Sequence, residues 1–466
     1  MGLAGTDKRQ EDYELAPGSA GRMRVRELLM MAALCCATTA IVSGQTPYDT
    51  SDAVIAQVGC CDCNEAACGC ELALPDCGCE SPCGGSCGAE PLCGWENQCD
   101  SGRGSCRSGG IFDGCSCLGK CDLGDPYALL GECCGWSAGG WLQLGYTSAQ
   151  LPAFNTYDDV LQAQQAWLFV EKAMDTSCGF GIGGRIDYLY GTDGPNTQAF
   201  GTDPRGWDNR WDNGGQYGQA IPQAYLEAGY GDLSVKAGHF YTIIGYEVVQ
   251  ATGNFFYSHA YTFNFSEPFT HTGVLATYKA SEDVTVWGGF SFGWDSGFDD
   301  NGDAFLGGIS LGLTDDLTLT YATIGGRFVE PWSGITPLAI SGYQHSVVAD
   351  FALCDSLNYV FQSDLLSTDF ADGTNARDTI GINQYLIKTI NDCWGVGARF
   401  EWWNVEDGRG PDQDVFALTT GVNYRPHANV IVRPEIRWDW DDDGTGLLED
   451  GDDSQTTFGI DTILTF

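Results

Sequence analysis

Positive charge is scarce in this chain of 466 residues: 22 lysines and arginines stand against 63 aspartates and glutamates, a formal net charge of −41. A chain this acidic lacks the basic patches that the electrostatic part of nucleic-acid binding requires, so DNA and RNA are excluded as partners. Long apolar runs are missing too. The one continuous stretch, Leu28–Ile41, falls short of the ~20 apolar residues of a spanning helix. Histidine is sparse, and His239, His259, His271, His345 and His427 are scattered with neither metal-ligand nor triad spacing. Cysteine almost vanishes after Cys134, where only Cys178, Cys354 and Cys393 remain of the 22 in the chain.

The N-terminal part has its own texture. Arg22, Arg24 and Arg26 precede Leu28–Ile41, and Val42-Ser43-Gly44 follows. A positive region, a short apolar region and small residues read as an export signal, so residues 1–44 are taken as leader and signal peptide. Residues 45–59 form a polar linker. Cysteines then crowd residues 60–136 in patterns such as Cys60-Cys61-x-Cys63, Cys68-x-Cys70 and Cys115-x-Cys117. Beyond an export signal, that density points to an oxidising compartment and a disulfide-stapled, loop-rich periplasmic segment. Soft-metal binding by the thiolates and cross-linking to cell-wall components stay open as alternatives. The cysteines from Cys60 to Cys134 are odd in number. One is therefore free, intermolecular, or paired with Cys178, Cys354 or Cys393.

Residues 137–466 are rich in Gly and aromatics, and their hydrophobicity alternates with period two, the mark of β-strands with two unlike faces. Thr456–Phe466 shows it plainly: Phe458, Ile460, Thr462, Leu464 and Phe466 share one face, with Thr457, Gly459, Asp461, Ile463 and Thr465 on the other. Such segments can be followed from Trp141 to the terminal strand, and about 16 strands are expected. Short turns follow every even strand and long segments follow every odd one. The expected fold is all-β: a closed antiparallel transmembrane β-barrel with outer-membrane lipid outside and both chain ends on the periplasmic side. At the hairpin Gly231-Asp232, a two-residue turn would set Tyr230 opposite Leu233 and Glu227 opposite Lys236. Rows such as Trp394–Val396–Ala398–Phe400–Trp402 face outward and supply candidate aromatic girdles.

The same parity puts Arg185, Asp187, Glu227, Lys236, Arg399, Glu401, Arg433, Glu435, Arg437 and Asp439 on the inner face. Facing lipid, an Arg at mid-bilayer costs ~2–4 kcal/mol, whereas facing inward these groups line water. They are the expected pore-lining residues, with an ion-pair network stiffening the wall as the plainer account. Asp439, Asp441, Asp443 and Asp450 resemble a calcium loop, but the twelfth position is Asp and the flanks are strands, so a solvated acidic loop competes with Ca binding. Gly289-x-Ser291-x-Gly293 and Gly308-x-Ser310-x-Gly312 match a hydrolase nucleophile elbow. Both lie within alternating strands rather than a strand-turn-helix, so the chain is not expected to be an enzyme. Gly179-x-Gly181-x-x-Gly184 opens no helix and fails as a dinucleotide site for the same reason.

The stretches GVNYRPHANVIVRPEIRWDW (Gly421–Trp440), RIDYLYGTD (Arg185–Asp193) and QAYLEAGYGDLSVKAGHF (Gln223–Phe240) resemble outer-membrane β-barrel porins of the OmpL-like type. The resemblance covers roughly Ser137–Phe466 and implies passive diffusion of small hydrophilic solutes or ions through a charged lumen, with homo-oligomers as an option. A structural or adhesive barrel joined to the cell wall through its cysteine-rich segment is the alternative.

Overall fold

The computed structural model describes residues 121–133, 135–199, 207–209, 212, 215–298, 302–327, 341–406, 413–441, 448 and 453–466. The expected signal peptide, the linker and the cysteine-rich segment up to residue 120 lie outside them.

Sixteen antiparallel strands close into a ring, each bonded to its sequence neighbours and the last to the first. They are β1 (Trp136–Thr147), β2 (Gln162–Lys172), β3 (Phe180–Gly191), β4 (Ala224–Tyr230) and β5 (Leu233–Tyr241). Next come β6 (Thr270–Ser281), β7 (Val284–Ser291), β8 (Asp303–Thr314), β9 (Leu317–Arg327) and β10 (Ser341–Cys354). The rest are β11 (Leu357–Asp369), β12 (Asn375–Asn391), β13 (Trp394–Glu406), β14 (Gln413–His427), β15 (Val430–Trp440) and β16 (Ser454–Thr465). Closure runs from Gly459↔Thr147 to Thr465↔Trp141. Phe466 extends it by exchanging two 2.9 Å backbone bonds with Gly140. Two short pieces complete the sheet: Leu130–Cys133 pairs with the start of β1, and Gly218–Ala220 continues the line of β4 along β3. The four-residue helix α1 (Gly194–Thr197) sits in the segment after β3.

Polarity is inverted relative to a water-soluble sheet. Outward Phe180, Ile182, Leu226 and Tyr230 are 61–71 % exposed, while inward Arg399, Glu401 and Asp461 are buried. Apolar side chains held outward around a whole ring make sense only if the outer solvent is hydrocarbon. Outward aromatics collect at both strand ends. Trp394 stacks on Tyr424 at 4.3 Å near the short turns, and Phe416 stacks on Trp440 at 5.7 Å near the long loops. The Gly231-Asp232 hairpin has the expected register, with Tyr230 opposite Leu233 and Glu227 opposite Lys236. Gly231 takes φ +57° there, the left-handed conformation that such tight turns demand.

β1 starts at Trp136, inside the segment assigned to the cysteines, because Leu130–Cys133 gives it a partner. β7 stops at Ser291, since the chain turns inward through Gly293 (φ +129°) and Asp295 (φ +43°). Asp295 Oδ1 there accepts the backbone N–H groups of Phe269 (2.6 Å) and Thr270 (2.8 Å), and Trp294 is buried.

The lead-in to β1 runs along the short-turn rim. Cys121 forms a disulfide with Cys393 in the β12–β13 turn, Leu123 O accepts Ala428 N–H, and Tyr127 exchanges two bonds with the Asn429 side chain. Cys354 at the end of β10 is disulfide-bonded as well, whereas Cys178 is an exposed free thiol. Among the described residues no helix is long and apolar enough to cross a membrane, which bears only on helices.

Candidate functional site

The inside of the barrel is the candidate site, and the segment between β5 and β6, residues 242–269, dominates it. Sequence alone reads this stretch as one more long loop at the rim. It instead enters the lumen, through a 3-10 turn at Ala251–Gly253 and the short helix α2 (Tyr261–Ser266), with most of its side chains buried. Its composition explains the path. Phe255, Phe256, Tyr257, Tyr261, Phe263, Phe265 and Phe269 are a poor set for water, and the lumen wall offers apolar partners at several points around the ring. Phe263 and Phe269 pack with Trp141, Trp167 and Leu189. Ile244 meets Leu275, Leu306 and Ile324. Tyr261 and Phe265 meet Trp403 and Val415, and Phe256 meets Val348 and Val360.

Charged wall residues then bind the backbone of this segment, whose N–H and C=O groups would otherwise be buried without partners. Glu435 accepts the N–H groups of Tyr257 (2.9 Å) and Ser258 (3.0 Å). Glu401 accepts Tyr261 N–H at 2.8 Å, so a wall carboxylate serves the first turn of α2, where acidic groups are favoured. Arg433 donates to the carbonyls of Ala251, Asn254 and Phe256 at 2.7–3.1 Å and forms a two-pronged pair with Asp461. Arg437 donates to His259 O (3.0 Å), Glu401 and Asp439. Arg399 donates to Ser258 O (2.6 Å), Glu401 and Glu247, the last an acid of the inserted segment itself. Tyr261 Oη closes the network on Asp439 at 2.8 Å.

This corrects the expected surroundings of Arg399, Glu401, Arg433, Glu435, Arg437 and Asp439. All face inward, but each is at most 5 % exposed, because the inserted segment rather than water covers them. Asp187 is also fully buried, held by Arg185 (2.6 Å) and the Trp167 indole N–H (3.1 Å). Arg185, Glu227 and Lys236 keep partial exposure near the short-turn end. Around them Arg185 pairs with Glu171 at 2.9 Å and lies over Phe169, Lys236 lies over Tyr225, and Ser234 donates to Glu227. Glu171 and Tyr225 share this vestibule, and the parity of β2 and β4 carried the signal for both. Glu247 and Tyr261 carried no period-two signal, since they lie in a loop.

The remaining candidates are placed as follows. Asp439 Oδ1 is engaged by Arg437 and Tyr261, Asp441 is buried with its N–H on Asp453 O, and Asp443 and Asp450 lie outside the described residues. Among the described residues no cluster of three or more His, Cys, Asp or Glu is arranged to hold a metal. Ser291 is buried; its hydroxyl donates to Gly293 O at 2.8 Å and stands 3.5 Å from His271 Nδ1. Ser310 accepts from Thr320 on the wall.

Comparison with known proteins agrees with this architecture. The model of the family described as "Putative beta-barrel porin-2, OmpL-like" matches residues 136–466. The fold is similar to that of OmpF of Salmonella typhi, solved in complex with daunomycin, at TM-score 0.52 and 12 % identity over 71 % of this chain and 97 % of that one. It is also similar to an anion-selective porin from Comamonas acidovorans, at 0.51 and 10 % over 71 % and 99 %. OmpT of Vibrio cholerae, an outer membrane protein in trimer form, gives 0.50 and 13 % over 71 % and 99 %. No curated protein matches the sequence.

Proposed function

Because the chain belongs to the OmpL-like β-barrel porin-2 family, we propose that it is an outer-membrane porin that passes small hydrophilic solutes by passive diffusion, with residues 242–269 setting the bore. The observation that carries this reading is the inverted polarity of the ring: greasy outside, charged inside, with an inserted segment whose carbonyls are held by hydrogen bonds from wall arginines. Arg185, Glu227 and Lys236, together with Glu171, line the vestibule at the short-turn end, which we assign to the periplasm along with both chain ends. The vestibule mixes both signs, so the field across it orients solutes more than it sorts them by charge. No catalytic step is assigned to the barrel, and a homotrimer is the assembly we favour. Purified folded protein in a planar bilayer should give stepwise conductance, with a reversal potential in a salt gradient reporting selectivity. A folded barrel that inserts and conducts nothing refutes the reading.

One observation supports a second role. The Cys121–Cys393 disulfide ties the end of the cysteine-rich segment to the turn between β12 and β13. A barrel joined to the cell wall through that segment would be released from envelopes by detergent only with reductant added. Equal release without reductant counts against it.

A further inference from the structure

The outer face of the barrel is not uniform. Midway along β2, β3, β4 and β6 it carries Leu168, Ile186, Leu226 and Val274, all exposed, as a wall against hydrocarbon should. On β9–β12 the same belt is polar. Tyr321 of β9 stands opposite Val347 of β10, and Val347 opposite Ser363 of β11. Thr323 stands opposite His345, and Phe361 opposite Gln384 of β12. The residues beside them in each strand, Ala322, Gln344, Asp364 and Asn383, point inward and are buried, so the alternation turns Tyr321, His345, Ser363 and Gln384 outward.

Hydrocarbon cannot complete the hydrogen bonds of this patch. Tyr321 Oη is bonded to His345 Nδ1. Whichever of the two donates, one polar hydrogen of the pair, on Tyr321 Oη or on His345 Nε2, is left without an acceptor. Gln384 Oε1 accepts Tyr359 Oη at 2.9 Å, but among the described residues the Gln384 amide N–H groups and the Ser363 hydroxyl find no partner. Tyr321, Ser363 and Gln384 sit midway between the ends of their strands, too deep for lipid headgroups to reach. Polar side chains held against lipid without partners are costly, and where they occur they face other protein.

We propose that this polar face of β9–β12 docks a second copy of the chain. A closed barrel offers no strand edge, so a partner must meet it side by side in the same membrane, through side chains. A second copy stands there at the same depth and in the same orientation, which brings its own hydrogen-bonding groups level with these. The patch suits a ring of copies, in which one flank of each barrel meets the other flank of the next. The Tyr321–His345 flank supplies a free polar hydrogen, and the flank of Ser363 and Gln384 supplies both donors and acceptors. Such an interface rests on the homotrimer favoured above and fixes which face of each barrel makes it.

The test uses the full chain folded in mild detergent, with its mass read by sedimentation. The wild type should sediment as an oligomer. Photo-activated p-benzoylphenylalanine in place of Tyr343, whose ring lies 5.2 Å from that of His345, should give covalent multimers of the chain on irradiation. The same group in place of Leu226 on β4 should give none. His345→Leu with Gln384→Leu should raise the monomer fraction at matched concentration by about ten-fold, the worth of one or two hydrogen bonds in lipid. An oligomer that yields no multimers through position 343 overturns the proposed face while leaving the assembly in place, as does an undiminished oligomer in the folded double variant. A monomeric wild type overturns the assembly and the face together, and conductance is read independently of both. If the double variant does not fold, the cross-linking decides.

Discussion

At the scale of single residues, Arg433 shows why the inner charges are more than lining. Its guanidinium satisfies Asp461 and three carbonyls of the inserted segment, and both members of the Arg433–Asp461 pair are buried. Removing one partner of a buried pair leaves a charge without compensation and typically costs ~3–5 kcal/mol, whereas removing both is often close to neutral. Arg433→Met should therefore lower stability to urea by about that amount, and Arg433→Met with Asp461→Leu should recover part of the loss in a double-mutant cycle, since the three carbonyls and Gln143 Nε2 still lack those partners. Additive losses would show that the pair is not coupled. Asp208, in the segment after β3, gives a pH dependence outside the membrane. Burial pushes its carboxyl up to about 6, against the N–H groups of Ile221 and Ala199, which favour the charged form. A carboxyl raised on folding supports the ordered loop in its protonated form. That contribution is full below about 3.8 and is lost as pH rises through about 6. Protease protection of this loop should thus be greater at pH 5 than at pH 7.5, and Asp208→Asn should flatten the difference.

At the scale of elements, strands and turns follow from sequence far better than the lumen does. β2, β5, β9 and β15 fall where their alternation puts them, because a strand between lipid and a polar interior must switch character at every residue. The Glu227–Lys236 pairing follows from a two-residue turn alone. Residues 242–269 obey no such local rule. Their course depends on shape and charge complementarity with walls that are distant in sequence, as when Glu435 accepts the Tyr257 N–H and Arg399 donates to Ser258 O. A signal was present in their composition, since a rim loop has little use for Phe255, Phe256, Tyr257, Phe263 and Phe265 in succession. That segment can be tested as a unit. Arg399→Ala with Arg437→Ala removes the donors to Ser258 O and His259 O while leaving the barrel ladders intact. Single-channel conductance should increase by about two-fold or more if the segment sets the bore. Unchanged conductance in a folded variant would place the limiting constriction elsewhere.

At the scale of the whole molecule, the ring replaces a single apolar core with two solvents on opposite sides of one sheet. Adjacent residues of β4 should then tolerate the same substitution very differently. Leu226 is 70 % exposed on the outer face, while Glu227 points inward beside Lys236 and Ser234. An arginine at position 226 must leave water for hydrocarbon, at a cost of ~2–4 kcal/mol near the bilayer midplane and less near the interface. An arginine at position 227 stays on the partly exposed inner face, where it gives up the Ser234 hydrogen bond and adds a repulsion with Lys236 that water screens in part. Urea titration of barrels folded into lipid vesicles, read by the shift between folded and unfolded bands on unheated gels, separates the two. Leu226→Arg should lower stability markedly while Glu227→Arg stays near wild type, and in detergent micelles, which admit water more readily, the gap should narrow. Equal effects at the two positions would mean that the outer face of β4 does not meet lipid, as it would not if it were covered by a neighbouring subunit.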